Sequence, residues 1–227
     1  MLFTEDILFV HVPKMAGMSI TRFLLNNLRG DLHMYLPASA FDHAVQTLAF
    51  DDVRARLELI EGARHEDMHD AREKLALRGI DLSSFKFVIA AIRDPYDLEV
   101  SHFEHLRARR AKNAVRLSQA QQECLDRRDF AQFVEIFPFF KRSADEFERF
   151  WTLDGVAPDN LRRIRFENLG PELHDAVAPY SLARYQLPHV NRSRREVPLE
   201  GYLTPAIEAA IYRKYAYLFD FYERWRA

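Results

Sequence analysis

Apolar and polar positions alternate along the 227-residue chain in two rhythms, one of strands and one of helices. Residues 7–12, Ile-Leu-Phe-Val-His-Val, form a nearly unbroken apolar run that stops at Pro13, the pattern of a buried parallel strand. Residues 19–28 place Ile20, Phe23, Leu24 and Leu28 on one helical face, with Gly30 as the stop. Residues 57–61 read as a second strand, and residues 70–78 as a helix ended by Gly79. The strongest strand is 85–92, Phe-Lys-Phe-Val-Ile-Ala-Ala-Ile; it runs into Arg93-Asp94-Pro95 and a helix over 96–110. Residues 111–150 are mostly helical in pattern, rich in Phe and broken at Pro138. A late strand over 161–166 carries three arginines, and 204–225 reads as a helix with Pro205 in its first turn.

Strands alternating with helices predict an α/β fold, a parallel sheet flanked by helices in three α/β/α layers. No repeat, low-complexity stretch or Gly/Ser-rich linker divides the chain, so one domain over 1–227 is expected. Ligands of such sheets bind outside the carboxyl ends of the strands. The two strongest strands therefore direct attention to loops 13–19 and 93–101.

Composition narrows the classes. Lys and Arg number 32 against 34 Asp and Glu, a net charge of −2, which argues against general nucleic-acid coating. Only six of those basic residues are Lys and 26 are Arg, and only seven residues are Gly, so any anion must be held by a few placed groups. The single cysteine, Cys124, leaves no intrachain disulfide and no cysteine-rich zinc module. The N-terminus lacks a basic, cleavable leader, and no apolar run approaches the roughly 20 residues that span a bilayer. A cytoplasmic, soluble chain is expected.

Loop 13–19, Pro-Lys-Met-Ala-Gly-Met-Ser, carries the first chemistry. A helix that opens after a strand presents N–H groups without intrahelical partners and a partial positive charge. Gly17 allows close backbone approach, Ser19 offers a hydroxyl to an oxyanion, and Lys14 supplies a point charge. Ala16 and Met18 complete the backbone of that cradle. The order of Lys and Gly is not that of a Walker A loop, which disfavours an ATP-using kinase. In the second loop, Arg93 ends a strand and Ser101 lies eight residues on in the next helix, a fork and a hydroxyl suited to a second phosphate. The plain alternative is a local Arg93-Asp94 ion pair.

These two loops, in this order, resemble the 5′-phosphosulfate and 3′-phosphate motifs of the P-loop sulfotransferases. In the first, the family usually has Pro-Lys-Thr-(Ala/Gly)-Gly-Thr-Ser, so Met15 and Met18 replace threonines here. Residues 165–169, Arg-Phe-Glu-Asn-Leu, and 187–195, Leu-Pro-His-Val-Asn-Arg-Ser-Arg-Arg, are similar to the bacterial carbohydrate-type members, as are 215–222. The resemblance implies transfer of a sulfuryl group from 3′-phosphoadenylyl sulfate (PAPS) to an acceptor hydroxyl, carbohydrate or glycoconjugate, with no metal. It implies Lys14 against the leaving oxygen, Arg93 and Ser101 on the 3′-phosphate, and Arg192, Arg194 and Arg195 closing over the phosphates. It also implies a histidine base after the strand that precedes the Arg-Asp-Pro strand, where His65 and His69 both fall. Acceptor choice is expected from segments 31–53 and 111–150. Two alternatives stand beside it. His65-Glu66-Asp67-Met68-His69 is a literal H-E-x-x-H, the pattern of a zinc hydrolase, which needs a helix through both histidines. Loss of the loop hydroxyl at Met18 would suit a nucleotide-binding protein with impaired catalysis.

Overall fold

The computed structural model describes residues 1–47, 51–139, 143–182, 187, 195 and 197–223. Among the described residues there are six strands: β1 (Leu2–Phe3), β2 (Ile7–Val10), β3 (Leu32–Leu36), β4 (Leu57–Glu61), β5 (Phe87–Ile92) and β6 (Leu161–Arg165). The helices are α1 (Gly17–Asn27), α2 (Phe41–Thr47), α3 (Asp51–Arg54), α4 (Met68–Ala76), α5 (Pro95–Ala111) and α6 (Gln119–Arg127). They continue with α7 (Phe130–Ile136), α8 (Ala144–Glu148), α9 (Leu169–Val177), α10 (Pro205–Lys214) and α11 (Ala216–Glu223). The chain divides into two compact units, Met1–Ile92 with Arg149–Asn191, and Arg93–Glu148 with Arg192–Ala227.

The first unit holds the whole sheet, in the order β4-β3-β1-β2-β5-β6, with α1, α4 and α9 among its helices. The α/β class is as expected, but the sheet is mixed and not wholly parallel. β2, β5 and β6 run parallel, as do β3 and β4, while the two-residue β1 pairs antiparallel with both β2 and β3. The cause is local. Thr4 folds β1 back onto β2, its amide donating to the Ile7 carbonyl at 2.9 Å and its hydroxyl accepting from the Ile7 amide at 3.2 Å. Strands β2 and β5 are buried along their full length, as neighbours in the interior of a sheet should be. Trp151, fully buried, donates its indole N–H to the Ala91 carbonyl on β5.

The second unit is helical. α5 is buried on every side between Leu98 and Glu104, as its run of seven consecutive buried residues shows. The phenylalanines of 111–150 are mostly core, with Phe133 stacked on Phe137 at 4.4 Å and Phe139 edge-on to Phe147 at 4.5 Å. Phe130 also lines a cavity of about 380 Å³ together with Phe103, Arg107, Arg128 and Tyr202. The helix expected over 204–225 is two helices, parted at Tyr215, whose ring is buried. Among the described residues no helix is long and apolar enough to cross a membrane.

Candidate active site

β2 and β5 pair in parallel register, Val10 opposite Ala90, so both end at the same edge of the sheet. The chain leaves β2 into loop 13–19 and leaves β5 directly into Arg93. Each loop is built differently.

Loop 13–19 is a tight turn with two non-glycine residues in the left-handed region, Lys14 (φ 62°) and Ala16 (φ 58°). That region costs an L-residue roughly 1–2 kcal/mol, and such strain concentrates where a loop is shaped for binding. Ala16 is the N-cap of α1 and offers it no side-chain cap, and the first turn carries no acidic residue. Met15 turns into the core, Ser19 is buried and Met18 is exposed, so the two methionines have opposite fates. Gly17 has a specific reason to be glycine. A Cβ there would lie 1.9 Å from Nε2 of His11, whose ring fills the space beneath the loop. His11 itself is buried just past the end of β2, and burial first, then the neighbouring His65, holds its pKa well below the ordinary 6.5.

His65 and His69 are not equivalent. Nδ1 of His65 lies 3.0 Å from the His11 carbonyl oxygen, which can only accept, so Nδ1 carries a proton. The two rings meet edge-on at 4.7 Å. At His69, Nε2 accepts from the Asp154 amide at 3.3 Å, and Nδ1 faces the Asp154 carboxylate at 4.0 Å. Arg72 holds the same carboxylate at 3.1 Å.

The helix required for a zinc pattern through both histidines does not form. α4 begins at Met68, because Asp67 caps it by accepting from the amides of His69 and Asp70 while Asp70 returns a bond to the Asp67 amide. His65 lies outside that helix. Glu66, the base of such a pattern, is buried, accepts from the Ala63 amide at 2.9 Å and is ion-paired with Lys74. Among the described residues no three His, Cys, Asp or Glu side chains are grouped to hold a metal ion.

In the second unit, Arg93 is buried and pairs not with Asp94 but with Asp97, Nε to Oδ2 at 2.5 Å. Asp94 is occupied as the N-cap of α5, accepting from the Tyr96 and Asp97 amides, with Pro95 in the first turn. The other oxygen of Asp97 accepts from Nη2 of Arg195. Ser101 is buried one helical turn beyond Asp97. Arg192 and Arg194 lie outside the described residues. Sequence reasoning missed Asp97, although its i+4 spacing from Arg93 was visible; its pairing with Arg195, 98 positions away, left no local signal. Deeper in the unit, Glu99 is fully buried and accepts from Lys214 Nζ and Tyr215 Oη, each at 2.5 Å, with His102 Nδ1 at 3.8 Å. Burial opposes ionisation of Glu99, but His102 and the Lys214 ammonium outweigh it and its pKa falls below the usual carboxylate value. Burial, and then the Glu99 charge, pushes Tyr215 well up.

No family model matches the chain, and no curated protein matches it. Among solved structures, a sulfotransferase from Alicyclobacillus acidocaldarius is similar to this chain over 95% of its residues and 93% of that protein's own, at 13% identity and a TM-score of 0.43.

Proposed function

We propose that the 227 residues form a single sulfotransferase domain that moves a sulfuryl group from PAPS to an acceptor hydroxyl, of a carbohydrate or glycoconjugate. The observation that carries this reading is the uncapped start of α1. A strained turn, a glycine backed by a histidine ring, no capping side chain and no acid in the first turn leave the helix's positive end for an anion. In this reading the cradle of Lys14, Ala16, Gly17, Met18 and Ser19 takes the 5′ side of the nucleotide, and Arg93, Ser101 and Arg195 take its 3′-phosphate. When bound, PAPS supplies the sulfuryl group, whose bond to the bridging phosphate oxygen breaks as the acceptor oxygen bonds sulfur in line.

The chain's own groups do the rest. Lys14 stabilises the negative charge gathering on the leaving phosphate. His65 takes the acceptor's proton on Nε2, since its Nδ1–H is committed to the His11 carbonyl. His69, whose Nε2 receives the Asp154 amide, is the other candidate for that proton.

Titration calorimetry with adenosine 3′,5′-bisphosphate against ATP tests the reading. Binding of the former and not the latter is expected, and binding of ATP with Mg²⁺ instead would overturn it. Sulfuryl transfer should vanish in Lys14→Ala with the fold intact. Met18 is exposed in the first turn of α1 and carries no hydroxyl. Tight nucleotide binding without transfer to any acceptor would therefore favour a nucleotide-binding protein that has lost catalysis.

A further inference from the structure

The chain has five methionines, and four of them are sealed in its interior. Met34 is 4% exposed, Met1 2%, and Met15 and Met68 0%, whereas Met18 stands apart at 37%. The pair Met15 and Met18 shows how local the difference is. Both belong to the turn that leads from β2 into α1, three residues apart, yet Met15 packs in the core and Met18 lies on the outer side of the first turn of α1. Arg22, one turn on, is exposed on the same side, while Ser19, Ile20 and Phe23 are buried. A thioether does not titrate, so its reactivity toward an oxidant follows its access to solvent. By that measure one sulfur of the five is open to attack.

We propose that Met18 is a site of reversible oxidation by hydrogen peroxide, and that its sulfoxide weakens anion binding at the start of α1. The effect on binding rests on the reading of loop 13–19 as the cradle for a nucleotide's 5′ side; the site of modification does not. A sulfur lone pair attacks one oxygen of the peroxide, an S–O bond forms as the O–O bond breaks, and the proton of the transferred oxygen goes to the departing hydroxide, which leaves as water. Sulfur loses two electrons and the peroxide gains them. The product exchanges an apolar tip for a polar S–O group whose oxygen carries partial negative charge. It arises at a helix end that carries partial positive charge and has no acidic residue in its first turn. There the oxygen repels an incoming anion and competes with it for the first-turn amides. Met15 stays buried and reduced, so the packing beneath the loop is kept while its outer surface changes. Methionine sulfoxide reductase, drawing two electrons from a dithiol, removes the oxygen as water and restores the thioether.

The test treats the folded full chain with dilute hydrogen peroxide, maps the added oxygen by peptide mass spectrometry, and measures adenosine 3′,5′-bisphosphate binding by calorimetry before and after. Met18 should gain one oxygen at least about tenfold faster than any of the other four methionines, which react only when the fold opens. Affinity for the bisphosphate should then fall roughly three- to tenfold, the scale of a charge effect at a helix end. Incubation with sulfoxide reductases for both sulfoxide epimers should restore it. Met18→Leu has no sulfur at this position, so its affinity should be the same before and after peroxide. Oxidation of Met15, Met34 or Met68 as fast as Met18 would overturn the assignment of the site. Unchanged or tighter binding by protein fully oxidised at Met18 would overturn the effect on binding. So would an equal loss in peroxide-treated Met18→Leu, which places the cause at another residue such as Cys124. A reduced wild type that does not bind the bisphosphate would sink the parent reading and the effect on binding with it, while the peptide map would still decide where peroxide acts.

Discussion

Replacing Gly17 by Ala tests the packing under the loop most directly. The added Cβ would stand 1.9 Å from Nε2, 2.0 Å from Cδ2 and 2.8 Å from Cε1 of His11. Ordinary carbon contacts begin near 3.5 Å, so the imidazole must retreat by about 1.5 Å. It has little room to do so, with Phe9 at 5.8 Å and His65 edge-on at 4.7 Å between ring centres. Overpacking of this kind costs about 1–3 kcal/mol. Chemical denaturation should show that loss, and the melting temperature should fall by about 2–4 °C for each kcal/mol in a chain of this size. Gly17 does not have a positive φ, so its backbone accepts alanine once the ring is gone. In a His11→Ala background the same substitution should then be neutral or stabilising by up to about 1 kcal/mol, from reduced unfolded-state freedom and better helix propensity. The coupling between the two positions is the signature: the sign of the Gly17→Ala effect changes with residue 11. Equal destabilisation in both backgrounds would refute the assignment of Gly17 to the His11 ring.

Three further outcomes follow from buried polar groups. Lys214→Met removes the ammonium paired with the buried Glu99 carboxylate and the donor to the Val134 and Phe137 carbonyls, so urea unfolding should show a loss of about 3–5 kcal/mol, much of it recovered by adding Glu99→Gln. His11 is held neutral, chiefly by burial, with a folded pKa below the unfolded 6.5; stability is therefore intact above pH 6.5 and falls as pH drops from there toward the folded value. The slope, up to about 1.4 kcal/mol per pH unit, should be missing in His11→Gln when the two proteins are unfolded across pH 4–8. Burial, and then Asp129, pushes the Cys124 thiol up to about 11, and its Sγ lies 3.2 Å from the Asp129 carbonyl. At pH 8 it should resist iodoacetamide until urea is added, and fast alkylation of the native protein would contradict its burial.

Much of the sheet was legible because buried strands advertise themselves. β4 spans the residues its pattern marked, and β2, β5 and β6 fall within theirs. β1 was not legible: two residues carry no period, and only the Thr4 turn makes them a strand. β3, Leu-His-Met-Tyr-Leu, alternates too weakly to stand out, and its identity comes from pairing with β1 and β4. The break at Tyr215 was equally hidden, since a tyrosine is no helix breaker; its hydroxyl is drawn to Glu99, 116 positions away. The candidate site divides along the same line. Its loops could be read because each follows a strong strand, while the partners of its side chains lie at long range and could not.

The aspartates show why motif reading misjudged individual pairs. His65-Glu66-Asp67-Met68-His69 reads as a metal helix only if Asp67 is helical, but an aspartate just before an apolar helix start is worth more as a cap. Its capping box moves the helix start past Glu66 and separates the histidines. Asp94 was the obvious partner for Arg93, yet it too caps its helix, which hands the arginine to Asp97. In both places the carboxylate neutralises a helix end. α1 has no such aspartate, neither at its cap nor in its first turn, so no carboxylate of its own offsets its dipole. In a chain of net charge −2, the start of α1 is kept free of its own negative charge less by adding lysines than by keeping aspartate out of its first turn.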